Sequence, residues 1–372
     1  MDIDLETVQA RMAENGLSYA VLDIGSRQRL IVTERWGRCL GPFDAIGRSF
    51  MWLNEDVWSS TQQFAKALSE GSWNVGGERF WVAPEIRLNI KDRADFWGSY
   101  ELPNAMDPGN WKLRSGVQTA QLSTEAKLAL YNPRAGTVAY RAERSISPAA
   151  NPLRNLRAFD ELMTGIQYSG YIHKTRLSIL PGSDSDARLE AWTLSQLVPA
   201  GTIFVPCAEG VEYEDYYEKA DESCLRIGDS VTRFEITGKR RYKVGLRSTQ
   251  LFGRAGYLKA TTHEGASASA ALLVRSFYND PSSEYVEEPD SQPGCRGLSF
   301  HVYNDGGAFG GFGELECNGR TVGGTAGNEV TDEFSFWLFH GSVERVEAIA
   351  RALLGSDLSG GRNMARSSIC KS

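Results

Sequence analysis

Apolar positions along this chain fall mostly into short runs, and only three stretches carry helical spacing. Leu5, Val8 and Met12 recur about one turn apart with Gly16 as a stop, which predicts an N-terminal helix. In "TQQFAKALSEG", Phe64 and Leu68 share a face ahead of Gly71. In "SVERVEAIARALLG", Val343, Val346, Ile349, Ala350 and Leu353 form one stripe, with Ser342 placed to cap the helix and Gly355 to end it.

The rest reads as strand. "SYAVLDIG", "RLIVTE", "GTVAYRAERSIS", "IHKTRLSIL", "EAWTLSQLVPAGTIFVP", "VTRFEITG", "ASAALLVRSFYND", "LSFHVYND", "FGELECNG" and "EFSFWLFHG" are short apolar or alternating runs, most of them punctuated by Gly, Pro, Asn or Asp. Such runs, spread from residue 18 to residue 340 with no Pro/Ser-rich linker and no internal repeat, predict a mainly β protein: a large antiparallel β-sandwich with a few peripheral helices. One domain over 1–358 and a flexible C-terminal tail over 359–372 are expected.

Bulk composition narrows the partners. With 40 basic and 47 acidic residues the net charge is −7, which argues against nucleic acid or an anionic membrane as the main partner. No run approaches the roughly eighteen apolar residues of a membrane span. The acidic start "MDIDLETVQARMAENG" lacks the basic and apolar regions of a secretory signal. Six scattered cysteines include no CxxC pair and no neighbouring histidine, so neither zinc nor a disulfide framework is expected, and reduced thiols in a cytoplasm are the simplest reading. The oligomeric state is not legible.

Glycine-rich "GGAFGGFG" fails as a phosphate loop, because Glu314-Leu315-Glu316 follows where Lys-Ser/Thr and a helix would be needed. It fits a hairpin or a loop that approaches a ligand closely. On the strand that follows, Glu314 and Glu316 project to one face, about 7 Å apart. Such carboxylates repel, which raises one pKa and suits general acid–base work; a solvated strand face is the plainer alternative. Nearby "HVYNDGG" brings His301, Tyr303, Asn304 and Asp305 to the same end of the sheet.

Four histidines, His173, His263, His301 and His340, have no metal-ligand spacing, so no metal is expected. There is no GxSxG elbow, and nothing marks Cys207 as a nucleophile. Nine tryptophans, several beside polar groups, are the remaining clue: sugar sites combine aromatic platforms with Asn, Asp, Glu and Arg partners. The alternative is that the rings fill a wide sandwich core. In "NVGGERFW", Glu78 and Arg79 would point to opposite faces of an extended segment, so one can serve a ligand and the other a structural ion pair.

Taken in order, "NVGGERFWVAPE", "YELPNAMDPGNWKL", "EAWTLSQLVPAGTIFVP", "KVGLR" and "FGELECNG" resemble a group of bacterial proteins of unassigned function related to the aldose 1-epimerases. The resemblance spans about residues 20 to 355 and implies the galactose-mutarotase-like supersandwich. It also implies a glutamate that takes the proton of the anomeric hydroxyl and a histidine that protonates the ring oxygen, with no organic cofactor. Carried onto this chain, the base is Glu316 with Glu314 beside it. The acid is His173 or His301, since the region where the family's histidine would stand reads "EAWTLSQL". The resemblance also offers Arg79, Glu78, Trp81, Trp192, Gln196, Asn304 and Asp305 as substrate-binding residues. The implied function is acid–base chemistry at or near the anomeric carbon of a sugar or sugar acid. Its rivals are a non-catalytic sugar-binding protein of the same fold and a carbohydrate lyase or glycosidase.

Overall fold

Side chains alternate across an extended backbone, and the strand at Tyr19–Gly25 shows the consequence: Ala20, Leu22 and Ile24 are buried while Val21 and Asp23 face solvent. In this computed structural model, which describes residues 3–261 and 268–355, the same logic runs through nineteen strands. They are β1 (Tyr19–Gly25), β2 (Gln28–Thr33), β3 (Cys39–Phe43), β4 (Glu78–Ala83), β5 (Lys112–Gly116), β6 (Thr119–Leu130), β7 (Gly136–Pro148), β8 (Gln167–Ile179), β9 (Glu190–Leu197) and β10 (Gly201–Pro206). The chain continues through β11 (Tyr213–Asp215), β12 (Leu225–Ile227), β13 (Val231–Ile236), β14 (Tyr242–Arg247), β15 (Arg254–Ala260), β16 (Ser269–Phe277), β17 (Leu298–Asn304), β18 (Gly313–Asn318) and β19 (Glu329–Ser342).

Two antiparallel sheets result. One has the order β1-β2-β3-β4-β9-β18-β17-β14-β11, the other β12-β13-β10-β15-β16-β19-β8-β7-β6-β5. Their facing sides share one apolar core that includes Leu22, Phe80, Leu315, Leu177 and Phe336. This is the large antiparallel sandwich expected from the strand pattern. The run "EAWTLSQLVPAGTIFVP" is not one strand: it divides into β9 and β10, one in each sheet, and the chain crosses over at 198–200.

Three helices follow the predicted stripes: α1 (Leu5–Glu14), α3 (Thr61–Ser69) and α6 (Val343–Leu354), beside the short α2 (Glu55–Trp58), α4 (Glu85–Leu88) and α5 (Phe159–Met163). Helices α1 and α3 bury Val8, Met12 and Phe64 in a satellite core with Ile31, Trp36 and Trp58. The stripe of α6 packs Val346, Ile349 and Leu353 on Leu272, Val274 and Phe339 of the ten-stranded sheet. Ser342 occupies the N-cap position of α6 but its hydroxyl makes no capping bond. No helix among the described residues is long and apolar enough to cross a membrane. Cys39, Cys207, Cys224, Cys295 and Cys317 are unpaired thiols. Cys370 and the tail expected over 359–372 lie outside the described residues.

One polar knot is sealed between the sheets. Glu78, from β4, receives Arg144 at 2.9 Å, Arg275, the Tyr171 hydroxyl at 3.0 Å and His173 at 3.3 Å, all from the opposite sheet. Each of these side chains is fully buried. Burial alone would raise Glu78, yet Arg275, His173 and Arg144 together hold it well below the usual carboxylate range. The substrate-binding reading of Glu78 and the acid role for His173 are therefore corrected. Both belong to the brace that joins the sheets, and burial pushes the His173 imidazole down to about 4.

Candidate functional site

Strands β4, β9, β17 and β18 are buried along their whole length, which ordinarily means continuous apolar sequence. Here the face toward the other sheet is largely apolar, with Glu78, Thr193 and Ser195 meeting Arg275, and the other face is mixed. The residues of the other face are Arg79 and Trp81 on β4, Trp192, Leu194 and Gln196 on β9, Glu314 and Glu316 on β18, and His301 and Tyr303 on β17. The pairing register lines them up. Arg79, Leu194, Glu316, His301 and Gly245 form one transverse row, and Gln196, Glu314, Tyr303 and Lys243 form the next.

Over this face lies a hollow of about 290 Å³. Its floor carries two crossed ion pairs, each cation reaching diagonally into the neighbouring row. Arg79 forks onto Glu314 with Nη–Oε distances of 2.5 and 3.3 Å. Lys243 lies 3.3 Å from Glu316, whose same oxygen accepts the Trp192 indole N–H at 3.1 Å. All four charged side chains are buried.

Aromatic rings form the walls. Phe309, Trp73, Trp81 and Trp192 follow one another edge to face at 5.6 to 5.8 Å, and Arg79 lies 4.3 Å from the Trp81 ring and 5.0 Å from that of Trp73. Trp97, Tyr100, Tyr217, Tyr303 and Phe312 also line it. The Trp81 indole is fixed from behind by Asp107 at 2.8 Å, which is itself paired with buried Arg38 at 3.0 Å.

Different cations act on the two carboxylates. Burial pushes Glu316 up to about 7, Lys243 pulls it back, and the neighbouring Glu314 charge pushes it further. Glu314 is also raised by burial, and the Arg79 fork is the largest influence opposing this. Burial works against the Lys243 ammonium, yet Glu316, Glu85 and Glu287 help to outweigh it and hold its pKa above the usual lysine value. Glu287, behind the floor, is itself pushed up to about 8 by burial.

Of the residues singled out from sequence, Arg79, Trp81, Trp192, Tyr303, Glu314 and Glu316 line this hollow, together with Trp73 and Trp97 among the tryptophans beside polar groups. The others do not. His301 is the cross-strand neighbour of Glu316, but its Nε2 is bonded to the Tyr216 hydroxyl at 2.9 Å, and burial and Lys243 drive it well below its usual pKa. Asn304 secures the β13–β14 turn by accepting from Thr237 and Gly238 at 3.0 and 2.9 Å.

Asp305 gathers the backbone N–H groups of Gly307, Phe309 and Gly311 at 3.2, 3.0 and 2.8 Å, so it shapes the glycine loop instead of meeting a ligand. Gln196 donates to Asn74 at 3.1 Å, and Asn74 holds the Phe309 carbonyl at 2.7 Å, which ties that loop to the wall. Gly310 has φ +111°, and a Cβ there would sit 2.7 Å from the Trp52 ring.

Sequence reading missed Lys243, Tyr217, Arg241 and Glu85, which line the hollow from three separate segments. A usable signal was the lysine inside the strand-like "YKVGLR", where a buried run carries one charge. A larger cavity of about 740 Å³ opens elsewhere, lined by Trp52, Tyr257, Lys259 and His340, and contains none of the predicted site residues. His263 lies outside the described residues, among which no group of three or more potential metal ligands occurs.

The model of a family of unknown function (DUF6786) matches residues 17–364. No curated protein matches the sequence. Among solved structures, a protein provisionally named an aldose 1-epimerase from Escherichia coli K12 aligns with 87% of this chain and 99% of its own, at 11% identity and TM-score 0.49. Another of that provisional name, from Klebsiella pneumoniae, aligns with 92% of this chain and 88% of its own, at 9% identity and TM-score 0.43. A galactose mutarotase related enzyme from Lactobacillus acidophilus aligns with 86% and 96%, at 7% identity and TM-score 0.30. Likeness at this level carries no argument about chemistry, and the architecture above rests on the strands themselves.

Proposed function

The chain belongs to the family of unknown function DUF6786, and we propose that it is a carbohydrate-active enzyme that performs acid–base chemistry at the anomeric carbon of a monosaccharide. The observation that carries this reading is a pair of buried, cation-bound carboxylates on the floor of an aromatic-walled hollow. A volume of about 290 Å³ is at the small end for small-molecule sites and suits one sugar ring better than an oligosaccharide. Tryptophan faces suit the C–H side of such a ring, and the charged floor suits its hydroxyls. The resemblance of the sequence motifs to aldose 1-epimerase-related proteins points the same way.

Glu316 is the base, held in place by Trp192 and Lys243. It takes the proton of the anomeric hydroxyl, the bond from that carbon to the ring oxygen breaks as the carbonyl forms, and Lys243 gives a proton to the ring oxygen. Protonation of Glu316 removes the largest electrostatic support of the Lys243 ammonium, so the lysine becomes a better acid as the base is consumed. Rotation about the adjacent carbon–carbon bond and reversal of both transfers give the other anomer and restore both groups.

Anomer-exchange NMR on a panel of aldoses and uronic acids tests this: exchange above the spontaneous rate is expected. A second reading is favoured by the hollow's lining, which includes no histidine among the described residues: a sugar-binding protein that no longer turns its ligand over. Saturable binding with no exchange on any sugar would replace the first reading with the second.

A further inference from the structure

The hollow is lined by three cations, Arg79, Lys243 and Arg241, and three carboxylates, Glu314, Glu316 and Glu85, but only two ion pairs form among them. Arg79 is forked to Glu314 and Lys243 faces Glu316. Arg241, which lines the same hollow, has no ion-pair or side-chain hydrogen-bond partner among the described residues, and its buried Nε is unsatisfied. Two rings hold it instead. The guanidinium carbon lies 4.1 Å from the Trp97 ring centre and 4.2 Å from that of Tyr217. This clamp fixes the guanidinium without using its N–H donors. A buried donor left unmatched costs free energy, and an anion entering the hollow would relieve that cost.

Position along the sheet says which part of a ligand would be read. Arg241 immediately precedes β14 and shares its outward parity with Lys243, about 7 Å away along the strand. That separation is of the order of one sugar ring. Trp97 is 52% exposed, so Arg241 sits toward the mouth while Glu316 and Lys243 form the floor. We propose that Arg241 is a specificity residue that selects sugars carrying an anionic substituent, a carboxylate or a phosphate ester, on the carbon remote from the anomeric centre. This rests on the ring placement argued under the proposed function. A neutral sugar would leave the guanidinium unmatched, so the same residue works against neutral competitors.

The test is calorimetric binding of matched neutral sugars, uronates and 6-phosphates, in the gluco and galacto series, to the full chain. In at least one series an anionic member is expected to bind roughly ten- to hundredfold more tightly than the neutral one, with the gap shrinking as ionic strength rises. Arg241→Ala and Arg241→Gln, each checked by thermal melting, should bring that ratio close to one. A preference for the uronate alone identifies a carboxylate and for the 6-phosphate alone a phosphate; either supports the proposal. Equal binding of neutral and anionic members, no binding of either anion, or a preference that survives both substitutions overturns it. Binding is read without turnover, so an Arg241-dependent preference without anomer exchange would leave this inference standing and remove the catalytic one, and exchange without preference would do the reverse.

Discussion

Glu316→Gln separates catalysis from stability at a single oxygen-for-nitrogen exchange. The wild-type carboxyl is displaced from 4.5 to about 7, chiefly by burial. At roughly 1.4 kcal/mol per pKa unit, that displacement corresponds to about 3 kcal/mol. The sign follows from the direction of the shift. A carboxyl whose folded pKa is raised favours the folded state while protonated, so its contribution is intact below the ordinary value and is lost as pH rises through about 7. Glutamine cannot ionise and escapes this loss. The variant should therefore match wild type near pH 4.5 and exceed it by about 3 kcal/mol above pH 8, measured by urea unfolding at both ends. Anomer exchange should move the opposite way. Wild-type rates should climb with pH through about 7 as the base ionises, and the variant should lose about 10²- to 10⁴-fold with no such limb. A variant that keeps exchange within tenfold of wild type, or a stability difference that does not change with pH, would refute the assignment of Glu316 as a buried base.

Lys243→Met removes the largest opposing influence on the raised Glu316 pKa, so the ascending limb of the pH–rate profile should move above about 7 and the rate should fall. Glu78→Gln strips the shared carboxylate from Arg144 and Arg275 between the sheets, and a loss of about 3–5 kcal/mol is expected in urea unfolding. Gly310→Ala places a methyl against Trp52 at a backbone angle that L-residues disfavour by about 1–2 kcal/mol. It should lower the melting temperature, and displacement of Phe309 and Phe312 should weaken sugar binding in calorimetry.

Much of the candidate site was legible one strand at a time. Period-two alternation put Glu314 with Glu316 on one face, and set Arg79 opposite Glu78, before any pairing was known. What alternation leaves open is which face meets the hollow and which meets the other sheet. His173 and His301 illustrate this: both lie on strands that were recognised, yet one is sealed against Glu78 and the other is bonded to Tyr216. Asp305 and Asn304 read as ligands because they are polar and clustered, whereas their acceptor atoms are consumed by backbone N–H groups of adjacent turns. Such local bonds leave no trace in spacing.

The sequence by itself determined many of the elements, though not β6 or β15: short strands between turn residues, three amphipathic helices, and the faces on which charges lie, because these follow from the geometry of a single extended or helical segment. Only the tertiary structure decided the partners. Arg79 and Glu314 are 235 positions apart in the chain, and Lys243 reaches Glu316 only because β17 separates β14 from β18 in the antiparallel order. Strand order and register are set by packing summed over two sheets, so no local pattern could place a cation beside each acid or leave Arg241 without one.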